Sequence, residues 1–264
     1  MYIITSFCCG QKYLPIREKW LQRIKKTCKH AKDIRLYDKI YVSLENKYGW
    51  WDVLRLNNIL LLSSETNIPV VQVDMDIIME KDIQPLVDLC YDFIISTEIG
   101  GNKAYPTECS SVLGFGVCSG FYILKPSAAS FFKRMLHLMY EQIYGSYSDQ
   151  VNLMHYIMNN KHEIREETCV FDGTTYTNKI ISIDGIKICV LDFELVIRDP
   201  VFSKGQFANH INIDNVGGTM QFLRYFDEPL ESLPLSCRCG KKHLGNSEIC
   251  IHVSMRSKKS YNIL

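Results

Sequence analysis

Two carboxylates one residue apart, Asp74 and Asp76, are the first residues whose spacing points to chemistry. Side chains two positions apart on an extended chain point the same way, so the pair can offer oxygen ligands to one hard cation. The runs Val70-Val-Gln-Val73 before it and Ile77-Ile78-Met79 after it are apolar. They pinch the aspartates between buried segments, where a carboxylate needs a partner. A cation held there can neutralise the charge that develops on the oxygens of a departing diphosphate. Arg55 stands among Leu54, Leu56, Ile59, Leu60 and Leu62, and an arginine in such a setting aims at an anion. Asp149-Gln150 follows the turn Gly145-Ser-Tyr-Ser148 and begins a helix. The positive end of the helix dipole favours the ionised form of Asp149. That makes it a weak base but a good fixed acceptor for hydroxyl groups.

The elements that must position these groups follow from the hydrophobic pattern. Tyr2 to Phe7 reads as a first, central strand, and Pro15 opens a helix to about Thr27. Ile34 to Leu44 is strand material. Asp52 to Ser64 is a largely buried helix with Asp52 at its N-cap. Pro69 to Val73 reads as a buried parallel strand, Ile83 to Leu89 as a short helix and Phe93 to Thr97 as a strand. This alternation over the first ~100 residues predicts an open, mostly parallel α/β sheet with helices on both faces, which binds ligands at the carboxyl ends of its strands. Further on, Val117 to Leu124 reads as a strand, with helices over Ala128 to Tyr144 and Asp149 to Met158. Between Thr168 and Ile197 the turns Asp172-Gly173 and Asp184-Gly185 predict hairpins.

The net charge of +1 over 264 residues argues against a nucleic-acid binder that depends on counterion release. No apolar run approaches the ~18 residues of a membrane helix, and the N-terminal stretch lacks the basic region of a signal peptide. Eleven scattered cysteines fit free thiols in a reducing compartment. These features predict a soluble, cytoplasmic protein without a membrane span.

Residues 52–90, and in particular Pro69-Val-Val-Gln-Val-Asp-Met-Asp-Ile-Ile-Met-Glu-Lys-Asp-Ile-Gln-Pro-Leu86, resemble the central block of metal-dependent GT-A glycosyltransferases, nearest to the glycogenin-like and bacterial galactosyltransferase group and the nucleotide-diphospho-sugar transferases of plant wall synthesis. The landmarks run in order over residues 1–225, specific in the 52–90 block and loose elsewhere. The resemblance implies a GT-A nucleotide-binding sandwich over 1–228, with a nucleotide-binding half (1–100) and an acceptor-side half (101–228) that carries a small β-rich region, followed by a peripheral tail (229–264). It implies a nucleoside diphosphate sugar as donor, UDP-sugar favoured, a glycan, protein or small-molecule acceptor, and Mn2+ or Mg2+ as cofactor. Carried over residue by residue, it makes Asp74, Asp76 and His210 the metal ligands, with Asp74 also on the ribose. Thr5, Ser6 and Phe7 fall where the base binds, and Tyr13 where an aromatic stacks on it. Arg55 reaches the donor. Ser119-Gly120 lies beside the donor sugar, with Cys118 where relatives have asparagine. Asp149 binds sugar hydroxyls and Gln150 sits near the anomeric carbon, so Asp149, Gln150 and Arg55 form the catalytic set. Gly217 and Gly218 approach the phosphates. The lysine that follows in relatives is missing, with Met220 and Gln221 near its place, which leaves Arg224 or a C-terminal lysine to neutralise the diphosphate.

The Asp-Gln match favours retention of configuration. Inversion with Asp149 as base stays open, as do a metal-dependent nucleotidyltransferase and a non-catalytic sugar-nucleotide or glycan-binding module. The first of these wants a Gly-rich basic loop, and Cys8-Cys9-Gly10-Gln11-Lys12 is a poor one. In the tail, Cys237, Cys239, His243, Cys250 and His252 have ligand types for Zn2+, but Cys-x-Cys is not the usual zinc knuckle spacing, and surface thiols are the expectation.

Overall fold

The computed structural model describes residues 1–8, 13–37, 50–98, 104–198, 204–211, 213, 219–228, 235–236 and 242–243. In chain order the first half contains β1 (Tyr2–Phe7), α1 (Leu14–Thr27), β2 (Ala31–Tyr37), α2 (Trp50–Thr66), β3 (Val70–Val73), β4 (Ile77–Met79), α3 (Gln84–Val87) and β5 (Phe93–Thr97). The second half contains α4 (Thr107–Leu113), β6 (Val117–Leu124), α5 (Ala129–Tyr140), α6 (Asp149–Asn159), β7 (Glu163–Phe171), β8 (Thr174–Ile183), β9 (Ile186–Val190), β10 (Val196–Arg198), β11 (Ala208–His210) and α7 (Thr219–Leu223). A two-residue pair, β12 (Leu235–Ser236) with β13 (Lys242–His243), is the described part of the tail.

The main sheet has eight strands in the order β2-β1-β3-β6-β5-β9-β8-β7. β1 runs parallel to β2 and β3, and β5 parallel to β9, whereas β6 is inserted antiparallel between β3 and β5. The fold is therefore α/β as expected, with a mixed sheet. Each central strand is buried on both faces because its apolar residues alternate between two cores. Ile4, Val71 and Ile123 pack with Ile16, Trp20 and Ile24 of α1 on one face. Ile3, Val70 and Leu124 pack with Leu56, Ile59 and Leu60 of α2 and Phe131, Phe132 and Met135 of α5 on the other. Continuous Val/Ile/Leu runs are what such doubly covered strands require.

The two hairpin turns are as read. Asp172 and Gly173 have φ of 50° and 77°, and Asp184 and Gly185 have 50° and 78°. Two consecutive positive φ values are the type I′ geometry that suits the strand twist. Some boundaries differ. α2 starts at Trp50, so Asp52 sits in its first turn rather than at the N-cap. α5 stops at Tyr140, short of Tyr144, because Gln142 and Gly145 take positive φ and turn the chain. β2 opens at Ala31, ahead of the expected Ile34, and beyond Tyr37 the expected 34–44 strand falls outside the described residues.

The sequence reading also missed a second sheet, three-stranded, in the order β10-β11-β4. After Val73 the chain leaves the main sheet, turns with Ile77 N–H donating to Asp74 O at 3.0 Å, and enters β4. Asp74 and Asp76 thus occupy the crossover between two sheets, and this crossover fixes the site.

Candidate active site

β3 delivers the first carboxylate. It is held on both sides, by β1 in parallel and by β6 in antiparallel register, and Asp74 N–H donates to Gly120 O at 2.8 Å. β11 delivers the histidine. It pairs antiparallel with β4 so that His210 faces Ile77, and Ile211 N–H donates to Asp76 O at 2.8 Å. These ladders bring His210 Nε2 to 3.2 Å from Asp76 Oδ1. The donor atoms of Asp74, Asp76 and His210 all lie within 4.8 Å of one another.

Gly120 makes that approach possible. A Cβ built there would lie 2.6 Å from His210 Cε1, 2.9 Å from its Nδ1 and 3.1 Å from Asp74 Oδ2. The residue is presented by an irregularity in β6. Ile95 of β5 pairs with Tyr122, but the next residue, Ser96, pairs with Cys118. Ser119, Gly120 and Phe121 therefore have no partner on β5, as in a bulge that re-aims a strand. Gly120→Ala is expected to displace His210 or Asp74 and to lower turnover by roughly a hundredfold, the cost of about an ångström of misplacement, while the melting temperature changes little. Steady-state rates and a thermal melt check this. Wild-type turnover in the variant would show that the histidine ring has room to move.

α2 brings up Arg55 on the other side. Its Nη2 lies 2.7 Å from Asp149 Oδ2, 2.9 Å from Asp52 Oδ1 and 3.2 Å from Ser119 Oγ, and its Nη1 lies 3.3 Å from Asp74 Oδ1. One buried guanidinium thus joins α2, β3, β6 and the start of α6. Both Asp149 oxygens have protein donors: Oδ2 accepts from Arg55, and Oδ1 accepts the Gln150 N–H at 2.7 Å. Gln150 donates through Nε2 to Tyr105 O at 2.8 Å, which leaves its carbonyl oxygen as the acceptor end.

Four carboxylates, of Asp52, Asp74, Asp76 and Asp149, surround the Arg55 guanidinium and the His210 imidazole. Burial pushes the Asp52 carboxyl up to about 7, against the pull of Arg55. Burial, opposed by Arg55 and reinforced by Asp76, also raises Asp74 above the usual carboxylate range. Burial works against charge on Asp76 too, but His210 outweighs it and holds this carboxyl below its ordinary value. For His210 burial favours the neutral ring, and the Asp76 carboxylate outweighs it and pushes the imidazole well above its ordinary value. The negative excess and the O, O, N donor set suit a divalent cation.

The remaining expected residues fall as follows. Thr5 and Ser6 are fully buried in β1. The Thr5 hydroxyl donates to Gln72 Oε1 at 3.1 Å, and Gln72 Nε2 donates to Asp74 Oδ1 at 3.2 Å. Thr5 therefore reaches the site through Gln72. Phe7, at the carboxyl end of β1, stacks on Tyr37 with ring centroids 4.7 Å apart. Tyr13 is half-buried at the start of α1 and packs on the core. Arg224 is paired with Glu228 at 2.6 Å. Gly217, Gly218, Cys237, Cys239, Cys250 and His252 lie outside the described residues. Sequence reasoning missed Gln72, whose signal was a lone polar residue inside a fully apolar strand, and the role of Asp52, whose signal was its i,i+3 spacing to Arg55.

A mixed α/β sheet with paired aspartates at a strand end is compatible with an enzyme that acts on a nucleotide sugar. Residues 19–221 match the model of the nucleotide-diphospho-sugar transferase family, and the chain belongs to that family. It is a glycosyltransferase. The chain is similar in fold to a solved glycosyltransferase described as involved in the glycosylation of the major capsid of PBCV-1, with a TM-score of 0.56 at 13% identity, over 86% of this chain and 98% of that one. No curated protein sequence matches the chain. No described helix is long and apolar enough to cross a membrane.

Proposed function

We propose that the chain moves a sugar from a nucleoside diphosphate sugar, UDP-sugar favoured, to an acceptor hydroxyl of a glycan, protein or small molecule, in a divalent-metal-dependent reaction with retention of configuration. The observation that carries this reading is the convergence of Asp74, Asp76 and His210 beside the Arg55–Asp149 pair. Asp74, Asp76 and His210 would hold Mn2+ or Mg2+. Such an ion supplies neutralisation of the charge that develops on the leaving diphosphate. Arg55 orients Asp149 and Asp74, and Ser119 and Gly120 line the wall beside them. Thr5, Ser6, Phe7 and Tyr13, at the carboxyl end of β1 and the start of α1, form the base side; the resemblance assigns Gly217 and Gly218, outside the described residues, to the phosphates. The seven described cysteines are free thiols, which supports a reducing compartment, the cytoplasm.

Retention is supported by the state of Asp149. A general base must be within reach of the proton that it takes, and both Asp149 oxygens already hold protein donors. Asp149 is better suited to fix sugar hydroxyls by position. Gln150 cannot take a proton, and its carbonyl end can face a positive anomeric carbon. The sugar released by slow donor hydrolysis, observed by proton NMR before it mutarotates, should first appear as the donor's own anomer. First appearance of the opposite anomer would overturn retention.

A further inference from the structure

Cys118 occupies the position of the asparagine in the enzymes this chain resembles, yet it is engaged with the histidine. Its side chain is 3% exposed, and Sγ lies 3.5 Å from His210 Nδ1. On its other side the Arg198 Nη1 donates to the same sulfur at 3.5 Å. Arg198 also pairs with the buried carboxylate of Glu98. Backbone register holds the group together, since Arg198 of β10 pairs with His210 of β11. The Ser96 hydroxyl donates to Cys118 O at 2.8 Å, closing the β6 irregularity at this residue. A continuous row of side chains, Glu98, Arg198, Cys118, His210 and Asp76, therefore runs from a buried carboxylate to the cation site.

A histidine ring has a soft torsion about its last bond, so something must choose which edge faces Asp76. Metal-binding histidines usually have a carboxylate, a carbonyl or a water on the second nitrogen for this purpose. No carboxylate or carbonyl contact to His210 Nδ1 occurs among the described residues, and the sulfur is there instead. The space over Gly120 accepts the Cε1–Nδ1 edge closely, which confines the ring but does not distinguish its two faces. Sulfur is a weak acceptor, and the Arg198 contact anchors it where the ring needs it.

We propose that Cys118 is the positioning residue for His210: its sulfur, anchored by Arg198, engages Nδ1, aims Nε2 at Asp74 and Asp76, and so sets the affinity of the site for a divalent cation. This rests on the reading of Asp74, Asp76 and His210 as the ligands of that cation.

The test is a Mn2+ titration of the purified protein without substrate, followed by the electron paramagnetic resonance of the free ion, together with thermal melts. Wild type should bind Mn2+, and Asp76→Asn should not. Cys118→Ala should bind about 10–100-fold more weakly, the usual effect of losing a partner behind a metal ligand. Cys118→Val, which keeps the volume and suits a strand, should lose as much even if the alanine variant does not fold. Cys118→Ser keeps a polar atom and should recover most of the affinity. Wild-type affinity in the valine or alanine variant, with Asp76→Asn still inactive in binding, would overturn the role of Cys118 alone. So would a serine variant that binds as weakly as valine, because a polar atom at this position would then not be what aims the ring. Failure of the wild type itself to bind Mn2+ would overturn the cation site and this inference with it.

Discussion

Asp76→Asn is expected to lower the rate of sugar transfer by about a thousandfold. Charge neutralisation by a bound ion is worth several kcal/mol in the transition state, and about 4 kcal/mol corresponds to three decades in rate. The amide keeps the shape of the side chain but loses the anion that both the cation and His210 need. Stability should change in a pH-dependent way, and the sign follows from the two partners. Asp76 is held below its ordinary value in the fold. Its contribution is present above the unfolded carboxyl value of about 4 and is lost as pH falls through the folded one. His210 is held above its ordinary value. Its contribution is complete below the unfolded value of about 6.5 and is lost as pH rises through the folded one. Without metal, wild type should therefore exceed Asp76→Asn in melting temperature most between about pH 4 and pH 6.5, with the gap narrowing on either side. Rates with and without EDTA, and melts across that range, check both parts. A variant that transfers sugar at the wild-type rate would remove Asp76 from the mechanism.

Arg55→Met should be the most destabilising single change at the site. The guanidinium is buried against the carboxylates of Asp52, Asp74 and Asp149. Removing one partner of a buried ion pair costs about 3–5 kcal/mol because uncompensated charge is left behind. Part of the Asp74 carboxylate is open to solvent, which places the expectation toward the lower end. For a chain of this size the loss corresponds to a fall in melting temperature on the order of 10 °C. Arg55→Lys restores a charge but cannot address α2, β3 and α6 from one planar fork. It should regain part of the melting temperature and little of the turnover, since Asp149 would no longer be fixed. A lysine variant with wild-type turnover would show that charge alone suffices and that the fork has no positioning role.

The parts of this arrangement that were legible in the sequence are those with a local signal. Val70 to Val73 reads as a buried strand because it is apolar but for Gln72, and Asp74 and Asp76 stand out against it. Arg55 stands out against the leucines of α2 in the same way. The two Asp-Gly turns announce their hairpins by residue type. The second sheet was not legible, because β4, β10 and β11 are three residues each, too short for any periodicity to appear. What delivers His210 to the aspartates is that sheet, so its role came only from resemblance. The antiparallel insertion of β6 between β3 and β5 is likewise a long-range pairing with no local mark. So is the engagement of Cys118 with Arg198 and His210, three residues that lie far apart in the chain.

Asp74, Asp76 and His210 are proposed to form a metal-dependent seat for a nucleoside diphosphate. The most direct measurement is a thermal shift of the wild type and of Asp76→Asn with UDP, Mn2+ and both together. A ligand that binds only the folded state at about 100 times its dissociation constant adds about 2.7 kcal/mol of stability, a rise of several degrees. UDP should raise the wild-type melting temperature only when Mn2+ is present, and should do nothing to Asp76→Asn in either condition. An equal rise without Mn2+, or the same rise in the variant, would contradict it.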